Sequence, residues 1–189
     1  MDTRQALRNQ MRQRRRQLTE QQQQHAADKA AERLIDYCHS HSITSVALYL
    51  SFDGELSTKT AIQRLWQQHI NVCVPVIHPF SKHHLLFIEY TPTSAMQLNK
   101  FGIEEPVLEC HKIVPKNELD VIVTPLVAFD GRGNRLGMGG GFYDRLLASD
   151  DAPAAIGYAH DVQRLESLPV ASWDMQLPCI ITPSHTYRF

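Results

Sequence analysis

The residues with the clearest potential for chemistry form a glycine-rich loop, RLGMGGGFYDR, over residues 135–145. Four glycines occupy positions 137, 139, 140 and 141, directly before a helix predicted over residues 142–148. Glycine permits positive φ and has no Cβ, so successive backbone N–H groups can converge on an anion ahead of a helix. Arg135 and Arg145 suit bidentate phosphate contacts, and Asp144 suits a divalent metal beside a polyphosphate. The loop predicts a phosphate site, with a flexible turn as the alternative.

Neither of two common nucleotide-binding glycine motifs matches this loop. No Gly-Lys-Ser/Thr sequence follows the glycines, as a Walker A loop requires. Phe142 stands where the last glycine of the Rossmann fingerprint belongs. Any phosphate site here is therefore of a different kind.

Two further segments carry polar residues beside aromatic ones. Tyr49, Phe52 and Glu55 surround an Asp53-Gly54 turn signal, and Trp173 precedes Asp174 near the end of the chain. Each acid also has an ordinary explanation. Glu55 can be an early acidic residue before a helix, favoured by the helix dipole, and Asp174 a solvated loop residue.

Positive charge is concentrated at the N-terminus. The first 18 residues hold six of the chain's 19 lysines and arginines but only one of its 20 acids, although the net charge is −1. Arg4, Arg8, Arg12 and Arg16 recur every four positions and form one stripe of a helix. Arg4 and Arg8 belong either to a solvated face or to a phosphate clamp. A nucleic-acid arm over residues 12–16 is disfavoured, because the rest of the chain is acidic and contains no nucleic-acid module.

Composition and spacing exclude several classes of protein. With 189 residues, 43% of them hydrophobic, the chain is long enough to bury a core as one domain over residues 1–189. No apolar run of membrane-spanning length and no secretory signal is visible, so we expect a cytoplasmic protein without membrane contacts. The cysteines are widely spaced, and the histidines, including the His83-His84 pair, lack ligand spacing, so we expect reduced thiols and no zinc site.

Hydrophobic periodicity predicts an N-terminal pair of helices followed by an α/β region. The first helix, over residues 3–18, has Asp2 or Thr3 as N-cap and a narrow apolar face of Leu7, Met11 and Leu18. The second begins at a Thr19/Gln22 capping box. Its buried face consists of Ala27, Ala30, Ala31, Leu34, Ile35 and Cys38.

The remaining apolar runs predict strands at 46–50, 72–76, 85–90, 121–128, 155–158 and 179–182, with a helix at 58–69. A strand, a helix and a strand within about 30 residues form a βαβ unit, which implies parallel strands covered by helices. Three prolines in residues 91–118 predict irregular connections there. Ligands bind at the carboxyl ends of parallel strands, which directs attention to residues 51–58 and 130–144.

Beyond this level, several motifs resemble one known family in the same order along the whole chain. They are Arg-x-x-Leu-Arg at 4–8, YLSFDGELST at 49–58, Glu105-Pro106, VTPLVAFDGRGNRLGMGGGFYDR at 123–145, Leu168-Pro169, Trp173-Asp174 and Ile181-Thr182-Pro183. The sequence is thereby identified as a member of the 5-formyltetrahydrofolate cyclo-ligase family, also called 5,10-methenyltetrahydrofolate synthetases.

The resemblance implies an α/β fold with a mostly parallel sheet, like that of ribose-phosphate isomerases and CoA transferases. It implies ATP- and Mg²⁺-dependent conversion of 5-formyltetrahydrofolate to 5,10-methenyltetrahydrofolate, with release of ADP and phosphate. Phosphorylation of the formyl oxygen would give an imidate phosphate on nitrogen 5. Nitrogen 10 would then bond to the imidate carbon and close the ring, and phosphate would leave. A non-catalytic folate or nucleotide binder of the same fold is the alternative. We expect a monomer.

The resemblance also implies the roles of individual residues. Arg135 and Tyr143 would be catalytic, and Asp144 and Asp174 would bind Mg²⁺. ATP would contact Arg4, Arg8, Arg135, Leu136, Gly137, Met138, Gly139, Gly140, Gly141, Phe142 and Tyr143. Folate would contact Leu50, Glu55, Met138, Gly139, Gly140, Gly141 and Phe142.

The sequence departs from relatives at a few of these positions. Many members have Lys at Arg4, a basic residue at Met138 or Gly140, and Tyr at Phe142. Arginine keeps the charge but changes its geometry, and Phe142 can stack but cannot donate a hydrogen bond. The cations available to replace a lost loop cation are Arg135, Arg145 and Lys100.

Overall fold

The architecture was analysed in a computed structural model that describes residues 3–81, 84–99 and 102–189. The helices of these segments are α1 (Thr3–Arg16), α2 (Glu20–Ser40), α3 (Lys59–Gln67) and α4 (Phe142–Leu147). The strands are β1 (Ser45–Leu48), β2 (Asn71–Ile77), β3 (Leu85–Glu89), β4 (Met96–Leu98), β5 (Glu104–Pro106), β6 (Ile113–Val114), β7 (Val121–Pro125), β8 (Ala128–Phe129), β9 (Arg135–Leu136), β10 (Ala154–Tyr158), β11 (Cys179–Ile181) and β12 (Thr186–Arg188).

An eight-stranded sheet in the order β12-β11-β10-β7-β1-β2-β3-β6 forms the centre of the fold. The five strands from β11 to β2 are parallel, whereas β12, β3 and β6 run antiparallel to their neighbours. The predicted mostly parallel α/β sheet is therefore confirmed. Strand β3 is antiparallel because a short connection after β2, rather than a helical crossover, returns the chain beside it.

Two sequence expectations about strands are wrong in part. The single strand expected over residues 121–128 is divided, since β7 ends at Pro125, which has no N–H for the ladder, and β8 pairs with β9 in a separate hairpin. Residues 91–118 are not wholly irregular. They contain the β4–β5 hairpin and the edge strand β6.

Helices cover both faces of the sheet. Thr19 and Gln22 form the expected capping box, and α2 and α3 bury their apolar faces against alternate residues of β1, including Val46 and Leu48. The intervening Ala47 belongs to the opposite face, where Leu146 of α4 packs against the core. This two-sided burial explains why the strands are continuously hydrophobic rather than alternating.

Helix α1 lies at the carboxyl end of the sheet instead of covering a face. Met11 is fully buried against Val127, Ala128 and Leu136 of the β8–β9 region. The helix ends at Arg16, two residues earlier than expected. Of its two proposed N-caps, Thr3 is already helical, and Asp2 lies outside the described residues. Its apolar face therefore docks the arginine stripe directly over the strand ends.

The strand order has a switch point between β1 and β7. From β1 the chain crosses through α3 to β2 on one side, and from β7 it passes through α4 to β10 on the other side. Loops that leave such a point in opposite directions open a crevice at the carboxyl edge of the sheet. The loop after β1 and the segment after β7 are the two predicted to carry chemistry.

All four cysteines are unpaired, and only Cys110 is exposed. No helix within the described segments is long and apolar enough to cross a membrane.

Candidate active site

The β8–β9 hairpin is held by a buried aspartate in its turn. Carboxylate oxygens of Asp130 accept hydrogen bonds from the backbone N–H groups of Arg132 (2.9 Å), Asn134 (3.2 Å) and Leu168 (3.1 Å). The side-chain amide of Asn134 donates a further bond of 2.9 Å. Because these bonds outweigh the effect of burial, the pKa of Asp130 is lowered. The turn thus fixes the position at which β9 begins with Arg135.

The guanidinium of Arg135 is buried beside the glycine loop. Its Nη2 donates to Oδ1 of Asp144 at 2.6 Å, and the side chain is 2% exposed. Its Nε is buried and has no hydrogen-bond partner among the described residues. Burial lowers the pKa of Arg135, which the carboxylate of Asp144 opposes. A buried donor without an acceptor is costly, so this nitrogen is suited to an anionic ligand.

The glycine loop adopts conformations that larger residues rarely accept. Gly139 has φ +101°, and Gly141 has φ +65° at the position before α4. A Cβ on Gly141 would lie 2.7 Å from Nη1 of Arg145. The backbone N–H groups of residues 137–141 donate no hydrogen bond to the described part of the chain. Within this part of the structure these N–H groups therefore have no competing acceptor that would prevent them from binding an anion.

Two arginines hold the loop carbonyls. Nε of Arg8 donates to the oxygen of Gly137 at 2.9 Å, and Nη2 of Arg145 donates to that of Gly140 at 2.5 Å. The Arg145 guanidinium also lies 5.8 Å from the ring centroid of Phe142. Because α4 has only six residues, its dipole is small, and positive charge at the loop comes chiefly from arginines.

Arg4, also on α1, contacts Asp174, the second residue predicted to bind Mg²⁺. Its two terminal nitrogens donate to the carboxylate of Asp174 at 2.6 and 2.9 Å, and Ala171 N–H donates to the same carboxylate at 2.8 Å. Burial opposes ionisation of Asp174, but these partners lower its pKa. The interpretations of Arg4 as part of a solvated face and of Asp174 as a solvated loop residue are therefore wrong.

The arginines at the end of α1 converge on Asp53. Arg12 Nε donates to its Oδ2 at 2.7 Å, Arg15 Nη2 to the same oxygen at 3.1 Å, and Arg16 Nε to Oδ1 at 2.5 Å. Asp53 has φ +53°, as the Asp-Gly turn signal suggests. Asp53 ties three of these arginines to the loop after β1, which is a structural role for them and weakens the case for a nucleic-acid arm.

Glu55 is buried between this cluster and the sheet. Its carboxylate accepts a hydrogen bond from Phe52 N–H at 3.2 Å, and Nη2 of Arg15 lies 3.9 Å from Oε1. Burial raises the pKa of Glu55 to about 7, and Arg15 opposes the rise. Glu55 lies three residues before Thr58, the N-cap of α3, and outside the first turn, so the helix-dipole explanation is wrong.

Of the remaining candidates, Tyr143 interacts electrostatically with both Glu55 and Arg135. Burial and the charge of Glu55 raise the pKa of Tyr143, so its phenol stays protonated at neutral pH and can donate. Leu50 is half-buried at the edge of the core beside β1. Met138 is 41% exposed, as suits a residue that meets a ligand rather than the core.

The acids present suit Mg²⁺ bound together with a polyphosphate. Asp144 and Asp174 both act electrostatically on Arg135, and hard carboxylate oxygens are the ligands that Mg²⁺ prefers. The described residues contain no group of three or more acidic, histidine or cysteine side chains able to hold a metal alone. Mg²⁺ commonly takes one or two carboxylates and completes its shell with phosphate oxygens and water, so this donor set fits MgATP.

Sequence reasoning missed several residues that build the site. Arg15, Asp53 and Asp130 were not singled out as site residues, although the Asp-Gly turn and the DGRGN sequence indicate turns. His160 was also missed, and burial lowers its pKa to about 4, so it is neutral. Lys100 and His83 lie outside the described residues.

Comparisons with known proteins identify the family of the chain. A sequence model of the 5-formyltetrahydrofolate cyclo-ligase family matches residues 1–183. The chain is 48% identical over 181 residues to the 5-formyltetrahydrofolate cyclo-ligase of Escherichia coli (strain K12), covering 95% of this chain and 100% of that protein. It is 47% identical over 176 residues to the Haemophilus influenzae protein of the same name, covering 92% and 94%.

Solved structures with the same fold were also found. The 5,10-methenyltetrahydrofolate synthetase of Aquifex aeolicus superposes with a TM-score of 0.84 at 27% identity, covering 98% of this chain and 92% of that chain. The Mycoplasma pneumoniae 5,10-methenyltetrahydrofolate synthetase gives 0.75 at 27% identity, covering 97% and 99%.

Proposed function

The chain belongs to the 5-formyltetrahydrofolate cyclo-ligase family, and we propose that it performs this family's reaction in the crevice between β1 and β7. The reaction converts 5-formyltetrahydrofolate to 5,10-methenyltetrahydrofolate and consumes ATP. One observation supports placing the reaction there. Helix α1 connects the glycine loop, Asp174 and the loop after β1, so the groups suited to a nucleotide and to a folate lie along one edge of the sheet.

ATP supplies the phosphoryl group that converts the formyl oxygen, a poor leaving group, into a good one. Phosphoryl transfer requires positioning and charge neutralisation rather than covalent chemistry by the protein. The backbone N–H groups of residues 137–141 and the guanidinium of Arg135 would bind the phosphates. Arg8 holds the loop through the Gly137 carbonyl, so its contribution is to fix the cradle as well as to add charge.

On the folate side, Glu55 and the exposed faces of Met138 and Phe142 would contact the substrate. A pterin presents its N3–H and 2-amino group as adjacent donors, which match the two oxygens of a carboxylate. Tyr143 has a protonated phenol and would donate a hydrogen bond near the reacting groups. The glycine loop between these residues would bring the formyl oxygen towards the terminal phosphate.

An assay with both substrates tests this function. Purified protein with 5-formyltetrahydrofolate, Mg²⁺ and ATP is expected to form the methenyl product, seen by its near-ultraviolet absorbance, and an equal amount of ADP. Omitting ATP should abolish product formation. Ligand-induced thermal stabilisation by either substrate without any turnover would contradict catalysis and support the alternative of a non-catalytic binder.

For Mg²⁺, we propose Asp144 and Asp174 as the protein ligands. Mg²⁺ bound there would neutralise charge on the phosphates. Asp144→Asn keeps the shape of the side chain but removes its charge. We expect the Mg²⁺ concentration for half-maximal activity to rise about tenfold or more, by analogy with the loss of a ligand-supporting group.

The exposed neighbour Asp150 supplies the matched control. Asp150→Asn should leave the Mg²⁺ requirement unchanged, and calorimetry of MgATP binding without folate should show the same difference between the two variants. If both variants require the same Mg²⁺ concentration, Asp144 is not a ligand.

A further inference from the structure

Arg15 is an unusual residue to find inside the molecule. Its side chain is fully buried, yet burying a guanidinium is costly unless its donors are matched by acceptors. Nε donates to the carbonyl of Asp53 at 2.9 Å and Nη2 donates to Oδ2 of Asp53 at 3.1 Å. Nη1 finds no hydrogen-bond partner among the described residues. Its burial is thus only partly compensated.

Pairing with Asp53 does not by itself explain Arg15. Arg12 and Arg16 already bind the same carboxylate, so three positive charges meet one negative charge. The other acid near Arg15 is Glu55, whose Oε1 lies 3.9 Å from Nη2. The excess positive charge is therefore placed where it acts on Glu55.

The backbone around Arg15 reinforces this placement. The side-chain amide of Gln23 donates to the carbonyls of Arg15 (3.1 Å) and Gly54 (3.4 Å), which ties α1 to the loop that carries Glu55. A Cβ at Gly54 would lie 3.5 Å from backbone atoms of Arg15. Arg15 thus keeps a defined distance from the carboxylate.

Few other charges in the segments that the structure describes act on Glu55. The ionisable groups that face it from the surrounding elements are Arg12 and Arg15 of α1, Asp53 of its own loop, Tyr49 after β1, Tyr143 of α4 and His160 after β10. The two tyrosines and His160 are neutral near pH 7, since burial raises the tyrosine pKa values and lowers that of His160 to about 4. Arginines and Asp53 are therefore the charges that oppose each other at Glu55.

We propose that Arg15 and Asp53 are positioning residues that set the charge of Glu55 and thereby the pH range in which the enzyme captures its folate substrate. The proposal rests on the proposed function, in which Glu55 contacts the pterin. Neither residue needs to touch a substrate. Arg15 favours the ionised carboxylate of Glu55, which can accept hydrogen bonds from the pterin N3–H and 2-amino group. Asp53 disfavours this ionised form.

The sign of the pH dependence follows from these charges. Burial raises the pKa of Glu55 to about 7, so the free enzyme holds a mixture of ionised and protonated forms at neutral pH. The value of kcat/KM for 5-formyltetrahydrofolate reports the free enzyme and should rise with pH through this region. Asp53→Asn removes a nearby negative charge and should lower the midpoint, whereas Arg15→Met should raise it. We expect shifts of about one pH unit each.

The experiment measures kcat/KM from pH 5.5 to 9 for wild type, Asp53→Asn and Arg15→Met at saturating MgATP. ADP is quantified chromatographically, so the readout does not depend on the stability of the methenyl product. Arg14→Gln, an exposed neighbour on α1, is the control and should keep the wild-type midpoint. Shifts in opposite directions support the proposal. Unchanged midpoints, or shifts of both variants in one direction, overturn it.

A direct titration separates this proposal from the proposed function. In protein labelled with ¹³C at glutamate carboxyls, the Glu55 signal is assigned by its loss in Glu55→Gln, and its pH midpoint is followed in the same variants. Asp53→Asn is nearly isosteric and retains all three arginines, so it decides the question even if Arg15→Met does not fold. If the pH midpoint of the Glu55 signal moves in opposite directions in the two variants but the protein is inactive, only the proposed function is contradicted. If the midpoints are equal in an active enzyme, only the role of Arg15 and Asp53 is contradicted.

Discussion

Replacing Arg135 with methionine is expected to lower kcat by about 100- to 1,000-fold, the loss typical of removing one group that stabilises charge in a transition state. The buried guanidinium pairs with Asp144, and its Nε has no hydrogen-bond partner in the described part of the chain. Methionine preserves the aliphatic length but removes both the charge and the donors. The measurement is single-turnover and steady-state formation of the methenyl product at saturating substrates.

Two companion variants separate charge from geometry. Arg135→Lys retains the charge without the planar donor array and should have intermediate activity. Arg132→Met changes an exposed residue of the same hairpin whose backbone N–H bond to Asp130 is retained, and it should behave as wild type. A kcat for Arg135→Met within threefold of wild type, in a protein with an unchanged circular dichroism spectrum, would remove Arg135 from the catalytic site.

Gly133→Ala is expected to cause the largest loss of stability. Gly133 has φ +77°, and a Cβ there would lie 2.4 Å from the carbonyl oxygen of Leu177. The backbone strain and a clash that no rotamer change can relieve should together lower the free energy of unfolding by about 2–5 kcal/mol. For a chain of this length this corresponds to a decrease in Tm of about 10 °C, measurable by differential scanning calorimetry.

Gly102→Ala distinguishes the two causes. Gly102 has a similar φ of +73°, but a Cβ there would meet no atom of the described residues within 4 Å. The free energy of unfolding of this variant should fall only by the cost of backbone strain, about 1 kcal/mol. Equal losses in the two variants would show that the contact with Leu177 is unimportant.

The consequences of Gly133→Ala should extend to the site. Gly133 lies in the turn that Asp130 holds, and its carbonyl accepts a hydrogen bond of 2.9 Å from Leu177 N–H. This bond joins the β8–β9 hairpin, which carries Arg135, to the segment that follows Asp174. The glycine is therefore a link between two parts of the proposed nucleotide site.

Much of the fold was predictable from sequence because local patterns report burial. The capping box at Thr19 and the apolar spacing of α2 depend only on neighbouring residues, and both are observed. The continuous apolar runs of the central strands indicated a sheet covered on both faces. The edge strand β12 and the hairpin β4–β5 were missed, since short strands that contribute little to the core have weak patterns.

The glycine loop is the part of the site that sequence alone determined. Its residue types restrict the backbone to conformations that glycine tolerates, so its suitability for an anion is a local property. The positive φ values of Gly139 and Gly141 agree with this.

Only the tertiary structure decided how the charges pair. Arg12 and Asp53 are 41 positions apart, and Arg4 and Asp174 are 170 positions apart, so no local pattern could reveal either contact. The docking of α1 by Met11 brings these residues together, and burial then changes the ionisation of Glu55. Electrostatic interactions depend on distance and on exposure to water, and both quantities exist only after the chain has folded.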